Sequence, residues 1–234
     1  MDQPDWYYDE FVQAGVDYTD IEQVINYDEN MKKMRDVKEE TKDILELLHI
    51  KPNYLVIEIG CGTGEFSIEI AKRCQKVFAI DISNEMIKYA HRKAKSRNVE
   101  NIEFHNAGFL TYEHDGEKAD AVVSQLVLHH LPDFWKIIAL KRIHSMLKDG
   151  GQFYLKDVVY SPETNEYENF LFDAMEAISE KAGEETIKEI KTHIREEFST
   201  FEWVMEGLLE RAGFQIKLVD YQDDFMADYL CVKK

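Results

Sequence analysis

Three closely spaced glycines, Gly60, Gly62 and Gly64, follow an apolar segment and precede a segment with helical spacing. Glycine lets the backbone turn tightly and approach a ligand without a Cβ in the way. A strand, a glycine loop and a helix in this order form a nucleotide-binding unit at a switch point of a parallel sheet. The dinucleotide pattern requires a third glycine where Glu65 stands, and a carboxylate at that helix N-terminus would repel a pyrophosphate. The loop therefore favours a nucleoside ligand without phosphates.

Two carboxylates accompany this loop at positions that suit a nucleoside ligand. Glu58 stands two residues before the first glycine and can pair with an amine or with a backbone donor. Asp81 ends the next apolar run, where a carboxylate can accept both hydroxyls of a ribose. The alternative interpretation of Asp81 is a solvated strand terminus. The otherwise apolar character of that strand favours the ribose role.

The composition limits the classes of partner. The 234 residues carry 28 Lys and Arg against 46 Asp and Glu, a net charge of −18. A field of that sign repels phosphate backbones and anionic membrane surfaces, so neither nucleic acid nor a membrane is predicted as a partner. Three scattered cysteines without a paired spacing predict neither disulfides nor a zinc site, and no metal site is predicted. The acidic, aromatic N-terminus is unlike a signal peptide, which predicts a cytoplasmic protein.

The elements that position these residues follow from the hydrophobic periodicity. Short apolar runs at 54–59, 76–80, 101–104, 119–124 and 152–158 alternate with segments of helical spacing. This alternation predicts an α/β fold with a doubly wound, mostly parallel sheet. Residues 1–234 are predicted to form one domain that consists of an N-terminal helical cap (1–50), a cofactor-binding core (51–160), a helical insertion before the last two strands (161–198), and a final helix with an antiparallel strand pair (199–234). Ser199 and Glu202 have capping-box spacing, which predicts that the final helix begins there.

Four ordered segments carry a family resemblance. They are Glu58-Ile-Gly-Cys-Gly-Thr-Gly64, Phe78-Ala-Ile-Asp-Ile-Ser83, Asp120-Ala-Val-Val-Ser-Gln-Leu-Val-Leu-His-His-Leu-Pro-Asp133 and Leu147-Lys-Asp-Gly-Gly151. Together they resemble the class I, Rossmann-like S-adenosylmethionine-dependent methyltransferases, and the third segment is similar to the small-molecule and lipid branches. The resemblance is strong over residues 50–160. It implies a seven-stranded sheet whose last strand is antiparallel.

The resemblance also implies a cofactor and a set of residues that hold it. The cofactor is S-adenosylmethionine and the product is S-adenosylhomocysteine, with the methyl group moving to an O, N or C atom of a small organic or lipid-like acceptor. The implied contacts are Glu58 at the amino group, Gly60, Gly62, Gly64 and Gln125 at the methionine portion, Asp81 at the ribose, Ile82 on the adenine, and Asn106 with Ala107 at the adenine amine. Family members often carry an aspartate where Asn106 stands, but an amide oxygen can also accept a hydrogen bond.

Two histidines, His129 and His130, follow the fourth strand, where the resemblance places the donor methyl group. Either imidazole could take a proton from an acceptor hydroxyl or amine, because its pKa suits neutral pH. The alternative is that a histidine there packs and bonds a backbone carbonyl. Lys156 and Asp157, at the end of the fifth strand, could contact the acceptor or form a surface ion pair.

The N-terminal region and the choice of function leave further alternatives. Tyr18 and Tyr27 precede the first long helix and could belong to a lid over the cofactor or to ordinary core packing. A non-catalytic protein that binds S-adenosylmethionine or its product as a signal is a second hypothesis, because class I catalysis needs few side chains. A nicotinamide-dependent oxidoreductase is a third, opposed by Glu65 and the missing third glycine. The oligomeric state is left open.

Overall fold

The structure is a computed structural model. It describes residues 4–12, 15, 24–25, 27–29, 31, 36–161, 165–182, 184–222 and 224–234, with the backbone alone at 177–182, 184–186 and 189. Tyr18, one of the two predicted lid residues, lies outside the described residues.

A mixed β-sheet forms the centre of the fold. Five parallel strands lie in the order β3-β2-β1-β4-β5 and comprise β1 (Leu55–Ile59), β2 (Lys76–Asp81), β3 (Ile102–Asn106), β4 (Ala119–Gln125) and β5 (Leu147–Tyr160). The last strand of the chain, designated β8 (Met226–Lys233), pairs antiparallel with β5, and β7 (Phe214–Gln222) pairs antiparallel with β8 at the edge. The predicted α/β fold, with a mostly parallel sheet and an antiparallel last strand, is confirmed.

Helices cover both faces of the sheet. They are α1 (Val37–Leu47), α2 (Glu65–Ala71), α3 (Asn84–Ser96), α4 (Asp133–Met146), α5 (Tyr167–Ala182), α6 (Glu184–Glu196) and α7 (Glu202–Ala212). Every residue of β1 is buried, and successive side chains point to opposite faces. Val56 packs in one core with Phe66 of α2, whereas Ile57 packs in the other with Leu140 of α4 and Leu209 of α7. Burial on both faces explains why β1 is apolar on both faces rather than alternating, with Glu58 as its one polar residue.

The start of α7 departs from the prediction. Thr200–Phe201 form a short strand, β6, that pairs parallel with β5, and α7 begins at Glu202 without a side-chain cap. The predicted capping box is therefore wrong, because pairing with β5 holds this segment extended and the Ser199 hydroxyl lies 2.7 Å from His193 Nε2 instead. Among the described residues β6 raises the number of strands to eight, one more than predicted.

The strand order creates a crevice at one edge of the sheet. β1 and β4 are neighbours, while β2 and β3 lie on the other side of β1. The winding of the chain reverses between β1 and β4, and ligands of such sheets bind at the carboxyl ends of the strands on either side of that reversal. Gly60 follows β1, Gln125 ends β4 and Asp81 ends β2, so the predicted cofactor residues converge on this crevice. None of the described helices is long and apolar enough to cross a membrane.

Candidate active site

The glycine loop after β1 is shaped by packing as well as by backbone conformation. The amide groups of Gly60 and Cys61 donate to Ile80 O at 2.8 and 2.9 Å, which folds the loop over the end of β2. Gly60 has φ +82°, and a Cβ there would lie 2.1 Å from Val127 Cγ2. Gly62 has φ +50°, but the nearest atom to a Cβ there is 4.0 Å away. Both backbone conformations therefore favour glycine, and close packing against Val127 excludes a side chain at Gly60 but not at Gly62.

Alanine substitutions at these two glycines should separate the two requirements. In Gly60→Ala the left-handed backbone costs about 1–2 kcal/mol and the overpacking against Val127 costs about 1–3 kcal/mol. We therefore expect the unfolding free energy to fall by about 2–5 kcal/mol. Gly62→Ala carries the backbone cost alone, about 1–2 kcal/mol. Urea unfolding monitored by circular dichroism measures both values. Equal losses for the two variants would contradict the close-packing role of Gly60.

Asp81 is held by two backbone donors at the end of β2. Gly62 N donates to Asp81 Oδ2 and Ser83 N donates to Asp81 Oδ1, each at 2.8 Å. Burial raises the pKa of Asp81 to about 6, while the two N–H groups act to lower it. The carboxyl group is therefore ionised at pH 7. The remaining lone pairs of both oxygens stay available to a ligand in the crevice.

Glu58 lies in β1 beneath the glycine loop. Its side chain accepts a short hydrogen bond from Ser67 Oγ, and the residue is 3% exposed. Burial raises the pKa of Glu58 to about 8, and the charge of Asp81 adds to this. In the free protein Glu58 therefore holds its proton at pH 7. A cationic ligand group beside it would favour the ionised form.

Two adjoining cavities fill the crevice and share the residues Tyr27, Gly60, Gly62 and Gln125. The first holds about 860 Å³ of space including its mouth, and the second about 1420 Å³. Small-molecule sites occupy about 300–1,000 Å³, so the first cavity alone is of that size. Besides the shared residues, the first cavity is lined by Glu10, Val12, Ile59, Asp81, Ile82, Ser83, Met86, Ala107, Gly108, Phe109, Leu126, Val127, His130 and Leu131, and the second by Asp28, Met31, Asp36, Val37, Lys38, Thr41, Glu58, Cys61, Thr63, Glu65 and Phe66.

The structure brings most of the predicted cofactor residues together. Gly60, Gly62, Asp81, Ile82, Ala107 and Gln125 line the first cavity, and Glu58 lines the second. Gly64 and Asn106 lie outside both linings. Gly64 packs closely against Ala90, and Asn106 is exposed, with its amide nitrogen donating to Asp81 O and Ile82 O at 3.0 and 2.8 Å. The Asn106 side chain therefore hydrogen-bonds to the backbone at the end of β2.

Sequence reasoning missed the N-terminal residues that reach the crevice. Glu10 is 6% exposed, lines the first cavity, and accepts from Leu110 N at 3.0 Å and from Thr111 Oγ1 at 2.7 Å. The Tyr8 hydroxyl donates to His130 O at 3.2 Å. The aromatic cluster was a signal that this segment packs somewhere, but no local pattern links residue 10 with residue 110. Glu10 of the N-terminal segment therefore lies in the wall of the first cavity, and Tyr27 lines both cavities.

Glu65, at the start of α2, is neutralised by basic residues of α3. Arg97 donates to both carboxylate oxygens at 2.9 and 3.0 Å, and Lys93 Nζ lies 2.7 Å from Oε2. Although burial acts to raise it, these partners lower the pKa of Glu65 to about 2. The expected repulsion of a pyrophosphate is therefore weaker than the sequence suggested. The ion-paired carboxylate nonetheless lies in the first turn of α2, where a pyrophosphate would bind.

Comparison with known proteins decides the family. A family model described as a methyltransferase domain matches residues 50–218. The chain belongs to this methyltransferase family. The matched region spans β1 to β7, and so includes the glycine loop, Asp81 and Gln125.

Relatives and solved structures agree with this membership. The methyltransferase is 26% identical over 175 residues to an uncharacterized methyltransferase of Bacillus cereus, with 75% of this chain and 76% of the relative covered. It shares its fold with a SAM-dependent methyltransferase from Aquifex aeolicus at 17% identity and a TM-score of 0.63, covering 92% of this chain and 99% of that one. The magnesium protoporphyrin IX methyltransferase of Synechocystis PCC 6803, solved with bound SAM, has 17% identity and a TM-score of 0.59, with 96% of this chain and 88% of that chain covered. The predicted enzyme class, an S-adenosylmethionine-dependent methyltransferase, and its cofactor are thus confirmed.

The two histidines predicted as catalytic occupy different positions in this methyltransferase. His130 lines the first cavity, whereas His129 is buried with its Nδ1 2.5 Å from Asp157 Oδ1 and its Nε2 3.3 Å from Glu197 Oε2. Burial lowers the pKa of His130 to about 4, and the neighbouring charge of His129 adds to this. Burial also acts to lower the pKa of His129, but the two carboxylates raise it to about 9. In the free protein His129 is charged at pH 7 and His130 is neutral.

Glu197 is a second buried carboxylate beside the site that the sequence did not indicate. It follows α6, and its Oε2 contacts His193 Nδ1 as well as His129 Nε2. The amide of Phe198 donates to His129 O at 2.8 Å, which fixes this segment against β4 and its following turn. Burial acts to raise the pKa of Glu197, but the hydrogen bonds from the two imidazoles hold it well below its usual range. The i,i+4 spacing of His193 and Glu197 was the available local signal.

Lys156 and Asp157 do not form the surface ion pair that was one alternative. Their side chains are 4% and 0% exposed, respectively. Lys156 Nζ lies 3.3 Å from Gln222 Oε1 and 3.7 Å from Asp228 Oδ1, on the antiparallel part of the sheet. Neither side chain belongs to the cavity linings. Asp157 instead orients His129.

Proposed function

We propose that this methyltransferase acts on a small organic or lipid-like molecule and transfers the methyl group to an O, N or C atom. The observation that carries the proposal is the largely apolar wall that the residues after β4 give to the first cavity. That wall consists of Leu126, Val127, His130 and Leu131. Glu10 and Val12 of the N-terminal segment line the same cavity. A largely apolar pocket with a few polar groups suits a small molecule better than a polymer.

The proposed mechanism assigns the chain the tasks of alignment and water exclusion. When bound, the cofactor supplies a methyl group activated by a sulfonium and leaves as S-adenosylhomocysteine. Displacement at such a carbon requires an in-line approach of the acceptor and exclusion of water. Asp81 holds the ribose, Glu58 and Gln125 hold the methionine portion, and Lys38, which lines the second cavity, pairs with its carboxylate. His130 contacts the acceptor.

The proposal extends to the parts of the chain that enclose the acceptor. Residues 1–50 serve as a cap and residues 161–198 as a helical insertion around one domain of 234 residues. The contacts of Tyr8 with His130 and of Glu197 with His129 support these roles, because both segments reach the turn after β4. The net charge of −18 supports an acceptor other than a nucleic acid or a membrane surface.

Ligand-dependent unfolding followed by a search for the acceptor tests the proposal. S-adenosylmethionine or S-adenosylhomocysteine at 100 times its Kd should raise the unfolding midpoint by roughly 5–11 °C, whereas NAD should not. Labelled S-adenosylmethionine is then incubated with low-molecular-mass, lipid, RNA and protein fractions of a cell extract. We expect label in a small molecule or a lipid. A shift with NAD alone would contradict S-adenosylmethionine as the cofactor, and label confined to RNA or protein would overturn the proposed acceptor class. Binding without label in any fraction would favour a non-catalytic sensor.

A further inference from the structure

A group of potential metal ligands lies at the acceptor end of the crevice. His129, His130 and Glu197 present one ligand atom each within 4.8 Å of one another. We propose that these three side chains bind a divalent transition-metal ion. His129 Nε2 and Glu197 Oε2 are 3.3 Å apart, close to the separation of about 3.4 Å between two ligands of a tetrahedral ion with bonds of about 2.0–2.1 Å.

The ligand chemistry selects the class of ion. Two imidazole nitrogens and one carboxylate suit Zn²⁺, Fe²⁺ or Co²⁺, whereas Mg²⁺ and Ca²⁺ prefer oxygen ligands. The sequence predicts no metal site because its three cysteines are scattered. Two adjacent histidines and a glutamate far along the chain form no local spacing that would indicate a site.

Two of the proposed ligands, His129 and Glu197, already have hydrogen-bond partners of the kind that orient metal ligands. Asp157 Oδ1 accepts from His129 Nδ1 and also from Val158 N at 2.9 Å, which leaves Nε2 directed at the candidate site. His193 contacts the Glu197 carboxylate and is itself within 2.7 Å of Ser199 Oγ. A carboxylate behind a ligating histidine, and a hydrogen bond to a ligating carboxylate, fix ligand geometry and raise ligand basicity.

The buried negative charge around His129 also favours a bound cation. The Asp157 and Glu197 side chains are 0% and 4% exposed, so two buried carboxylates flank the His129 ring, one at each nitrogen. Within the described part of the chain, Asp157 Oδ2 is buried without a hydrogen-bond partner. Buried charge is costly unless it is compensated. One divalent ion with neutral imidazoles would compensate both carboxylates, and protonated imidazoles without an ion are the competing arrangement.

The candidate metal site borders the first cavity, and its three protein ligands are present whether or not an acceptor is bound. His130 belongs both to the ligand group and to the cavity lining, so the ion would lie at the cavity wall. Three protein ligands leave coordination positions open, and His130 would then contact the acceptor through the ion. The backbone at Gly15 closes the other side, since a Cβ there would lie 1.9 Å from Glu197 Oε1.

Titration of the full chain with metal ions tests the site. After treatment with a chelator and dialysis, Co²⁺ is added while its visible absorption is recorded, and Zn²⁺ and Mg²⁺ binding is measured by calorimetry. We expect one tight Co²⁺ or Zn²⁺ per chain, with Co²⁺ bands of a site with low coordination number, and no tight Mg²⁺. Loss of a residue that hydrogen-bonds to a metal ligand weakens metal binding by roughly 10- to 100-fold. Glu197→Gln removes a ligand itself, so we expect a larger loss of affinity.

Glu196→Gln is the matched control, because it removes the same charge from the neighbouring residue, whose side chain is 51% exposed. Its affinity should equal that of the wild type, which separates the site from ion binding by the acidic surface. Circular dichroism checks folding, and if Glu197→Gln is unfolded, His130→Gln carries the same expectation. Wild-type affinity in a folded Glu197→Gln or His130→Gln protein, or no saturable Co²⁺ spectrum, would overturn the site in favour of protonated ion pairs. S-adenosylmethionine binding is measured in parallel, so that failure of the ion site is distinguished from failure of the proposed function.

Discussion

Replacing Asp81 by asparagine is expected to weaken S-adenosylmethionine binding by at least about 100-fold. Gly62 N and Ser83 N hold the carboxylate at 2.8 Å each, which leaves the other lone pairs of both oxygens for the proposed contact with the ribose. Asparagine keeps one acceptor oxygen but not the charge, so one bond of about 1.5–3 kcal/mol is lost and the other weakens by about 1 kcal/mol, which corresponds to about 10²- to 10³-fold in Kd. Isothermal titration calorimetry at pH 7 measures the change.

Asp149→Asn serves as the matched control for this substitution. It removes the same charge from a side chain that is 88% exposed and lies outside both cavity linings. We expect wild-type affinity for Asp149→Asn and cooperative urea unfolding for both variants. An Asp81→Asn protein that folds and binds S-adenosylmethionine as tightly as the wild type would contradict the ribose role of Asp81.

The affinity for S-adenosylmethionine is expected to rise steeply with pH through Glu58. The pKa of this carboxyl is about 8 in the free protein, but pairing with the cofactor's ammonium requires the ionised form. Binding at pH 7 therefore releases a proton, and the affinity should rise by up to about tenfold per pH unit between pH 6 and 7.5. Above about pH 8 the ammonium itself loses its charge and the rise ends. Calorimetry in buffers of different ionisation enthalpy counts the released protons.

Glu58→Gln should remove this pH dependence and lower the affinity at pH 7.5. The free protein offers an independent measure, because a carboxyl whose pKa is raised from 4.5 to about 8 binds more protons folded than unfolded. Its contribution to the unfolding free energy therefore falls as the pH rises from 4.5 to about 8. We expect the variant to lose that slope as well. Loss of the stability slope with an unchanged affinity slope would show that Glu58 titrates but does not contact the cofactor.

The cofactor half of the site was predictable because its signals are local in the chain. Hydrophobic periodicity places the ends of β1, β2 and β4, and parallel pairing brings Gly60, Asp81 and Gln125 to one edge of the sheet. The orientation of a side chain was harder to predict than the position of its residue in the sheet. Asn106 lies at the end of β3 as expected, yet its amide nitrogen bonds the backbone carbonyls of Asp81 and Ile82. The choice between backbone and ligand as partner depends on atomic distances that a pattern does not contain.

The sequence alone determined the α/β fold, the methyltransferase family and the position of the cofactor loop, since periodicity and glycine spacing act within one strand–loop–helix unit. The tertiary structure decided how the surroundings of His129 and His130 are built. Glu10 reaches Leu110 across 100 residues, and Glu197 and Asp157 meet around His129. Such contacts depend on how distant segments pack against the sheet, and a single carboxylate or imidazole has no periodicity to indicate its partner. That is why His129 and His130, adjacent in sequence, have opposite environments in the fold.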